Sequence, residues 1–150
     1  MSDARILGFR GVKLPVSDLA RSRRWYERVF GLRAVLEFPD DSGAVRGIGF
    51  ELPDNPDVMV GLREDPAVAR GIAGFNPVVS ALADRDAVQA WADRLDQLGI
   101  QHSPVIDATV GWLLVFNDPD GIELHLYSRE RHDIDQTGRP GYGRPVQARS

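Results

Sequence analysis

The feature that most constrains this chain is that it carries one pattern twice. The stretch GVKLPVSDLARSRRWYERVFGL (residues 11–32) aligns with PVVSALADRDAVQAWADRLDQLGI (residues 77–100). Asp18 matches Asp84, Trp25 matches Trp91 and Arg28 matches Arg94, all at an offset of 66 residues. A two-residue insertion then sets Gly31 against Gly99. Each copy reads as an apolar strand, an Asp near a helix start, an amphipathic helix and a glycine where the helix stops. The segments after the two helices also correspond. Arg33–Glu37, Ala44–Leu52 and Asp57–Arg63 are strand-like runs parted by FPDDSG and PDNP turns. Their counterparts are Gln101–Ile106, Val110–Phe116 and Gly121–Tyr127, parted by DAT and NDPDG. The unit is βαβββ, used twice, which makes the fold class α+β.

The two copies span about residues 7–63 and 74–127 of a single domain over residues 1–127, with REDPAVARGIAG (residues 63–74) linking them. From Ser128 the composition changes. SRERHDIDQTGRPGYGRPVQARS is rich in Gly, Pro and Arg and lacks periodicity, so residues 128–150 read as an extended or flexible tail.

Composition narrows the function classes. The chain has no cysteine, which excludes disulfides, thiolate zinc sites and Cys nucleophiles and suits a cytoplasmic location. No apolar run approaches the roughly 20 residues of a membrane span, and MSDARILGFR shows no signal-peptide core, so no membrane association is expected. The net charge is −4, with no basic stripe interleaved with aromatics, which argues against nucleic acid as a partner. Lys13 is the sole lysine.

The phrases KLPVSDLARSRRWYERVFGL and VFNDPDGIELHLY, set in tandem βαβββ units, resemble the vicinal oxygen chelate superfamily. That is the group of glyoxalase I, bleomycin-resistance proteins and extradiol dioxygenases. The resemblance covers about residues 7–127 and implies an open eight-stranded barrel-like mixed sheet with helices outside. Its concave face would hold the ligand. Metal-dependent members carry a His seven residues before the helix-start Asp and a Glu four residues after the Gly of DPDG. The corresponding positions here are Gly11, Pro77 and His125, with Gly61 at the equivalent site on the last strand of the first copy. Gly11, Gly61 and Pro77 offer no side-chain donor. His125 alone, even with Glu123 on its face, falls short of the three ligands a catalytic divalent ion usually takes. Nothing in the sequence aims His102 or Asp107 at the same place. No metal and no cofactor are expected.

The remaining candidates follow from strand alternation. In GIELHLY, Glu123, His125 and Tyr127 share one face and Ile122, Leu124 and Leu126 the other. On the concave face, His125 with Glu123 is a candidate acid–base pair or hydrogen-bond anchor, against the alternative of a packed or solvated histidine. Lys13, two residues after Gly11, is a candidate for pairing with Glu123, for meeting an anionic or carbonyl group, or for acting as a base. The alternative is a solvated strand-edge lysine. Trp112 is read as a cavity wall or stacking surface, or as core. Arg63 and Tyr127 end strands at the cleft mouth. Glycine at 11 and 61 either eases strand geometry or leaves room for a bulky ligand, and Pro77, at a family ligand position, is a further ligand-contact candidate. Trp25, Trp91 and Tyr26 are expected as core wedges between helix and sheet.

Two functions are compatible with these residues. One is metal-independent capture of a bulky, aromatic or polycyclic organic molecule by a symmetric dimer, of the drug- or metabolite-sequestering type. The other is a metal-independent isomerase, cyclase or lyase using His125 as acid–base, with Glu123 or Lys13. A metal-dependent glyoxalase or dioxygenase ranks below both because its ligands are missing.

Overall fold

The structure, a computed structural model, describes residues 4–147; the last three residues of the expected tail lie outside the described residues. The chain divides into two compact units. One comprises the chain up to Gly74 together with Asp118–Ile122, the other Phe75–Asn117 together with the chain from Glu123 on.

The first unit holds β1 (Gly11–Val16), α1 (Leu19–Phe30), β2 (Arg33–Pro39), β3 (Val45–Leu52), β4 (Asn55–Glu64) and α2 (Pro66–Ile72). Its mixed sheet has the order β1-β4-β3-β2, with β1 parallel to β4 and the rest antiparallel. The second unit holds β5 (Val78–Leu82), α3 (Arg85–Gln97), β6 (Ile106–Asp107), β7 (Trp112–Asn117) and β8 (Glu123–Ser128). The order β5-β8-β7-β6, with β5 parallel to β8, repeats the first topology element for element. The fold is therefore α+β, built on two four-stranded mixed sheets, neither closed on itself.

The helix boundaries follow from local chemistry. Asp18 accepts the Arg21 N–H at 3.0 Å and Asp84 accepts the Ala87 N–H at 2.8 Å, each satisfying an orphan donor of the first turn. At the other end Gly31 adopts φ 65°, a left-handed stop that other residues resist. Replacing Asp84 by Ala should cost about 1 kcal/mol, read as a lower urea midpoint. In α1, Leu19, Ser22, Tyr26 and Val29 form the buried stripe; in α3 it is Val88, Ala92 and Leu95. The buried core of this unit includes Leu14, Val16, Ile48, Phe50 and Leu62 of β1, β3 and β4, with α1 packed on β3 and β4 and α2 on β1.

Three sequence expectations need correction. The segment 63–74 is more than a linker, because β4 runs to Glu64 and α2 comes next, capped by Asp65 and begun by Pro66. The strand expected over Gln101–Ile106 is reduced to the two-residue β6 and one bridge from His102 to Phe116. Pro104 has no N–H to give a ladder, and the Ser103 hydroxyl instead accepts the Val115 N–H at 3.0 Å. Trp25 and Trp91 are half-buried on the helix flanks, while Tyr26 is the aromatic in the core.

Past Ser128 the chain stays extended but is tied down. The His132 N–H donates to the Val110 carbonyl at 2.9 Å, and the Gln136 amide donates to the Asp107 carbonyl at 3.1 Å. Gln136 is only 4% exposed.

Candidate functional site

In the first unit, the sheet face away from α1 is set by register. Lys13 stands opposite Gly61, and Gly61 opposite Gly49; Arg63 pairs with both Pro15 and Gly47. On β2, Phe38 pairs with Gly47 and Leu36 with Gly49. A cleft of about 550 Å³ opens over this face, lined by Lys13, Phe38, Gly47, Gly61, Arg63 and the carboxylate-rich end of the sheet. That volume lies within the range of small-molecule sites. Phe38 is 52% exposed and its ring lies against Gly47, presenting an aromatic plate.

The glycines of this face have different reasons for being glycine. A Cβ at Gly11 would stand 2.6 Å from the Met59 carbonyl oxygen, so β1 and β4 approach too closely there for any side chain. That close approach is a backbone reason, and Gly11 does not line the cleft. Gly61 is the contrary case. Its φ is not positive, and a Cβ would meet nothing nearer than the Lys13 Cγ at 3.3 Å. Neither backbone conformation nor close packing of main chain demands glycine at 61.

One end of the cleft is charged. Arg46 bridges Asp40 at 3.0 Å and Glu64 at 2.6 Å. Hydrogen bonds from Ser42 and Arg46 hold the Asp40 carboxyl well below the usual carboxylate range. The Leu19 N–H and Arg46 likewise lower Glu64.

In the second unit the alternation of β8 is as expected, with Leu124 and Leu126 buried and Glu123, His125 and Tyr127 half-buried. His125 pairs with Val79 and Val115. Because Lys13 faces Gly61 as Val79 faces His125, Gly61 is the topological counterpart of His125. The His125 Nε2 lies 2.7 Å from a Glu123 carboxylate oxygen, with the side chains 16% and 34% exposed. When Nε2–H donates to Glu123, Nδ1 is left as an acceptor, and it has no hydrogen-bond partner among the described residues. Trp112 meets the His132 ring edge-on at 5.5 Å and has the Arg85 guanidinium 6.0 Å from its centroid. The Tyr127 hydroxyl accepts the Val110 N–H at 3.1 Å. Both aromatics are thus engaged with the loop and tail of their own unit. Pro77 precedes β5 and is exposed.

The DPDG phrase has a structural task in the first unit. The Asp118 carboxylate accepts the Asp120 and Ile122 N–H groups at 2.9 and 3.0 Å and the Tyr26 hydroxyl at 2.8 Å. Burial raises the Asp118 pKa, and burial beside Asp118 pushes the Tyr26 phenol far above its ordinary value near 10.0. A folded-state pKa raised in this way gives stability that is complete below about pH 10 and is lost as pH rises beyond it. Melting temperature should therefore fall between about pH 10 and pH 11, and Tyr26→Phe should flatten that decline. At neutral pH the same variant should lose about 1–3 kcal/mol, since Asp118 keeps one donor fewer.

The family's metal positions do not fit a metal here. Gly11, Gly61 and Pro77 bring no donor, and Glu123 is engaged with His125. Among the described residues no group of three His, Asp or Glu side chains is placed to hold an ion. Phe38, Gly47 and the Asp40–Arg46–Glu64 cluster are cleft residues that the sequence reading missed. The available signal was RGIGF, where glycines at alternate positions clear one strand face.

Residues 8–126 match the model of the Glyoxalase/Bleomycin resistance protein/Dioxygenase superfamily, and the chain belongs to that superfamily. A comparison with curated proteins found no match. Among solved structures, TnmS3, an antibiotic binding protein from Streptomyces sp. CB03234, is similar at 21% identity and TM-score 0.68, covering 84% of this chain and 98% of that one. A glyoxylase/bleomycin resistance protein/dioxygenase domain from Frankia sp. EAN1pec gives 22% identity and TM-score 0.66, over 83% and 98% of the two chains. The fosfomycin resistance protein FosX from Listeria monocytogenes, a mutant complexed with Mn(II) and 1S,2S-dihydroxypropylphosphonic acid, gives 18% and 0.62, over 82% and 93%. At these identities the likeness shows the fold. No helix among the described residues is long and apolar enough to cross a membrane.

Proposed function

We propose that this protein captures a bulky, planar organic molecule in the cleft of its first unit, without a metal ion. The observation that carries the reading is Gly61. It occupies the counterpart of a ligand position in metal-dependent members, yet nothing in its backbone requires glycine; a side chain there would meet the Lys13 stem, so glycine keeps the cleft floor flat beside that lysine. Phe38 supplies a stacking plate beside that floor. That a fold neighbour, TnmS3, is an antibiotic binding protein supports capture as a use of this fold. The chain would act in the cytoplasm as a symmetric dimer. Ile6, Leu7 and Phe9, exposed at 89, 89 and 91%, form an apolar arm that supports association. The test is an equilibrium titration of the chelator-treated full chain with a panel of polycyclic aromatics. Micromolar or tighter binding with no divalent ion is the expected result, and binding that appears only after metal is added would overturn it.

The Glu123–His125 pair favours a second reading, acid–base catalysis with Nδ1 as the proton acceptor. Under capture alone, His125→Ala leaves bound ligand chemically unchanged and its affinity within about threefold. Under the enzyme reading, the wild type converts ligand and the variant loses about 10²–10⁴-fold in rate. Product analysis by mass spectrometry separates the two.

A further inference from the structure

Capture of a planar molecule leaves one property of the cleft unused, the state of its charged groups. Lys13, Arg46 and Arg63 line it together with Asp40, Glu64 and Asp65. The charges cancel, so the cleft has no strong net field; what differs is which groups are already satisfied. Asp40 accepts the Ser42 N–H at 2.8 Å, the Ala44 N–H at 3.1 Å and Arg46 at 3.0 Å. Glu64 accepts the Leu19 N–H at 2.9 Å and Arg46 at 2.6 Å. Asp65 caps α2 by accepting the Val68 N–H at 3.2 Å. Arg46 is held between two of these carboxylates.

Lys13 and Arg63 are the exceptions. Among the described residues, neither side chain has an ion-pair or hydrogen-bond partner. They stand on adjacent parallel strands, Lys13 opposite Gly61 and Arg63 two residues further along the same face. An ammonium has three donors and a guanidinium five, and neither has an acceptor of its own. The lining therefore has donors to offer and acceptors already engaged, directly beside the flat floor and the Phe38 ring.

We propose that the ligand class is a planar aromatic acid, its ring lying over Gly61 against Phe38 and its carboxylate or sulfonate taken between Lys13 and Arg63. Charge-assisted hydrogen bonds from two cations are stronger and more directional than neutral ones, and a guanidinium can take a carboxylate edge-on with two of its donors. The proposal rests on the capture reading and adds to it the charge of the captured molecule.

The experiment compares two probes of one shape, anthracene-2-carboxylate and anthracene-2-carboxamide, titrated against the full chain by ligand fluorescence. The acid is expected to bind about tenfold tighter than the amide, and the difference should shrink with rising salt. Lys13→Met and Arg63→Met keep the aliphatic bulk. Each should remove most of that preference, lowering the affinity of the acid far more than that of the amide. Lys13→Arg and Arg63→Lys retain the charge and should keep most of it, which separates charge from packing should a Met variant melt early. Equal binding of acid and amide, untouched by the Met variants, would overturn the anionic class. Capture itself would then still stand, provided Phe38→Ala weakens both probes. Tighter binding of an anthracenylmethyl ammonium than of the acid would also overturn it, by showing that the carboxylates are the ligand's contacts. If neither anthracene binds, the inference and the capture reading fall together.

Discussion

Asp118→Ala should be severely destabilising, lowering unfolding free energy by about 3–5 kcal/mol. The carboxylate is 5% exposed and serves three donors, the Asp120 and Ile122 N–H groups and the Tyr26 hydroxyl. Alanine leaves all three without an acceptor, and an unsatisfied buried polar group costs about 1–3 kcal/mol. The turn itself also loses its internal tether, because both main-chain donors belong to the DPDG segment and the residue after it. Asp118→Asn is the informative control. Its amide oxygen can still accept both N–H groups, its NH₂ can donate to the Tyr26 oxygen, and it removes a charge that burial disfavours. Asparagine should therefore cost less than alanine, about 1–2 kcal/mol at neutral pH, because the Tyr26 hydroxyl proton alone loses its acceptor. Acid titrations of the two proteins should differ in one respect. The raised Asp118 pKa means the wild type gains stability from this group as pH falls towards 3.8, and the Asn variant does not. Urea titrations of the full-length variants give all three quantities.

What the sequence disclosed about this chain, and what it withheld, divides by the range of the interactions. Asp18 and Asp84 cap helices three residues ahead of them, Gly31 closes α1, and Gly121 turns DPDG at φ 80°. All are decided within four or five residues, and all were readable. The helix α2 was equally local and was overlooked, since Asp65 followed by Pro66 is a helix-start signal. The cleft was not readable in the same way. Leu36 and Phe38 reach its face only because the β2–β3 register shifts between Ala34 and Leu36. Strict alternation would have put Leu36 on the face of Ala34, opposite the buried Phe50. A bulge depends on the partner strand, and no spacing within RAVLEFP announces it. The flank position of Trp25 and Trp91 is a similar case. Their match across the repeat was real, but the buried stripe passes through Ser22, Tyr26 and Val29 in one helix and Val88, Ala92 and Leu95 in the other.

The second large effect is expected at the cleft floor. Gly61→Leu should leave the fold nearly intact, within about 1 kcal/mol, and reduce affinity for a planar polycyclic probe by at least about 100-fold. The backbone at 61 is not in the left-handed region, and the nearest obstacle to a Cβ is the flexible stem of Lys13. Leucine there is thus tolerable to the sheet, yet its branched end projects where the ligand ring is proposed to lie. Gly11→Leu should behave in the opposite way. Its Cβ collides with the Met59 carbonyl at 2.6 Å, so stability should fall while any binding by the remaining folded protein persists. Melting curves and probe titrations on both variants separate a glycine kept for space from a glycine kept for strand approach.

The central claim is that the first-unit cleft takes a planar organic molecule without a metal. Its most direct test is a map of backbone amide shifts on the full chain in chelator, recorded as a polycyclic aromatic probe is added. Saturable shifts concentrated at Lys13, Phe38, Gly47, Gly61 and Arg63 are the predicted result. Shifts that arise only once a divalent ion is supplied, or that leave these five amides unmoved, would contradict it.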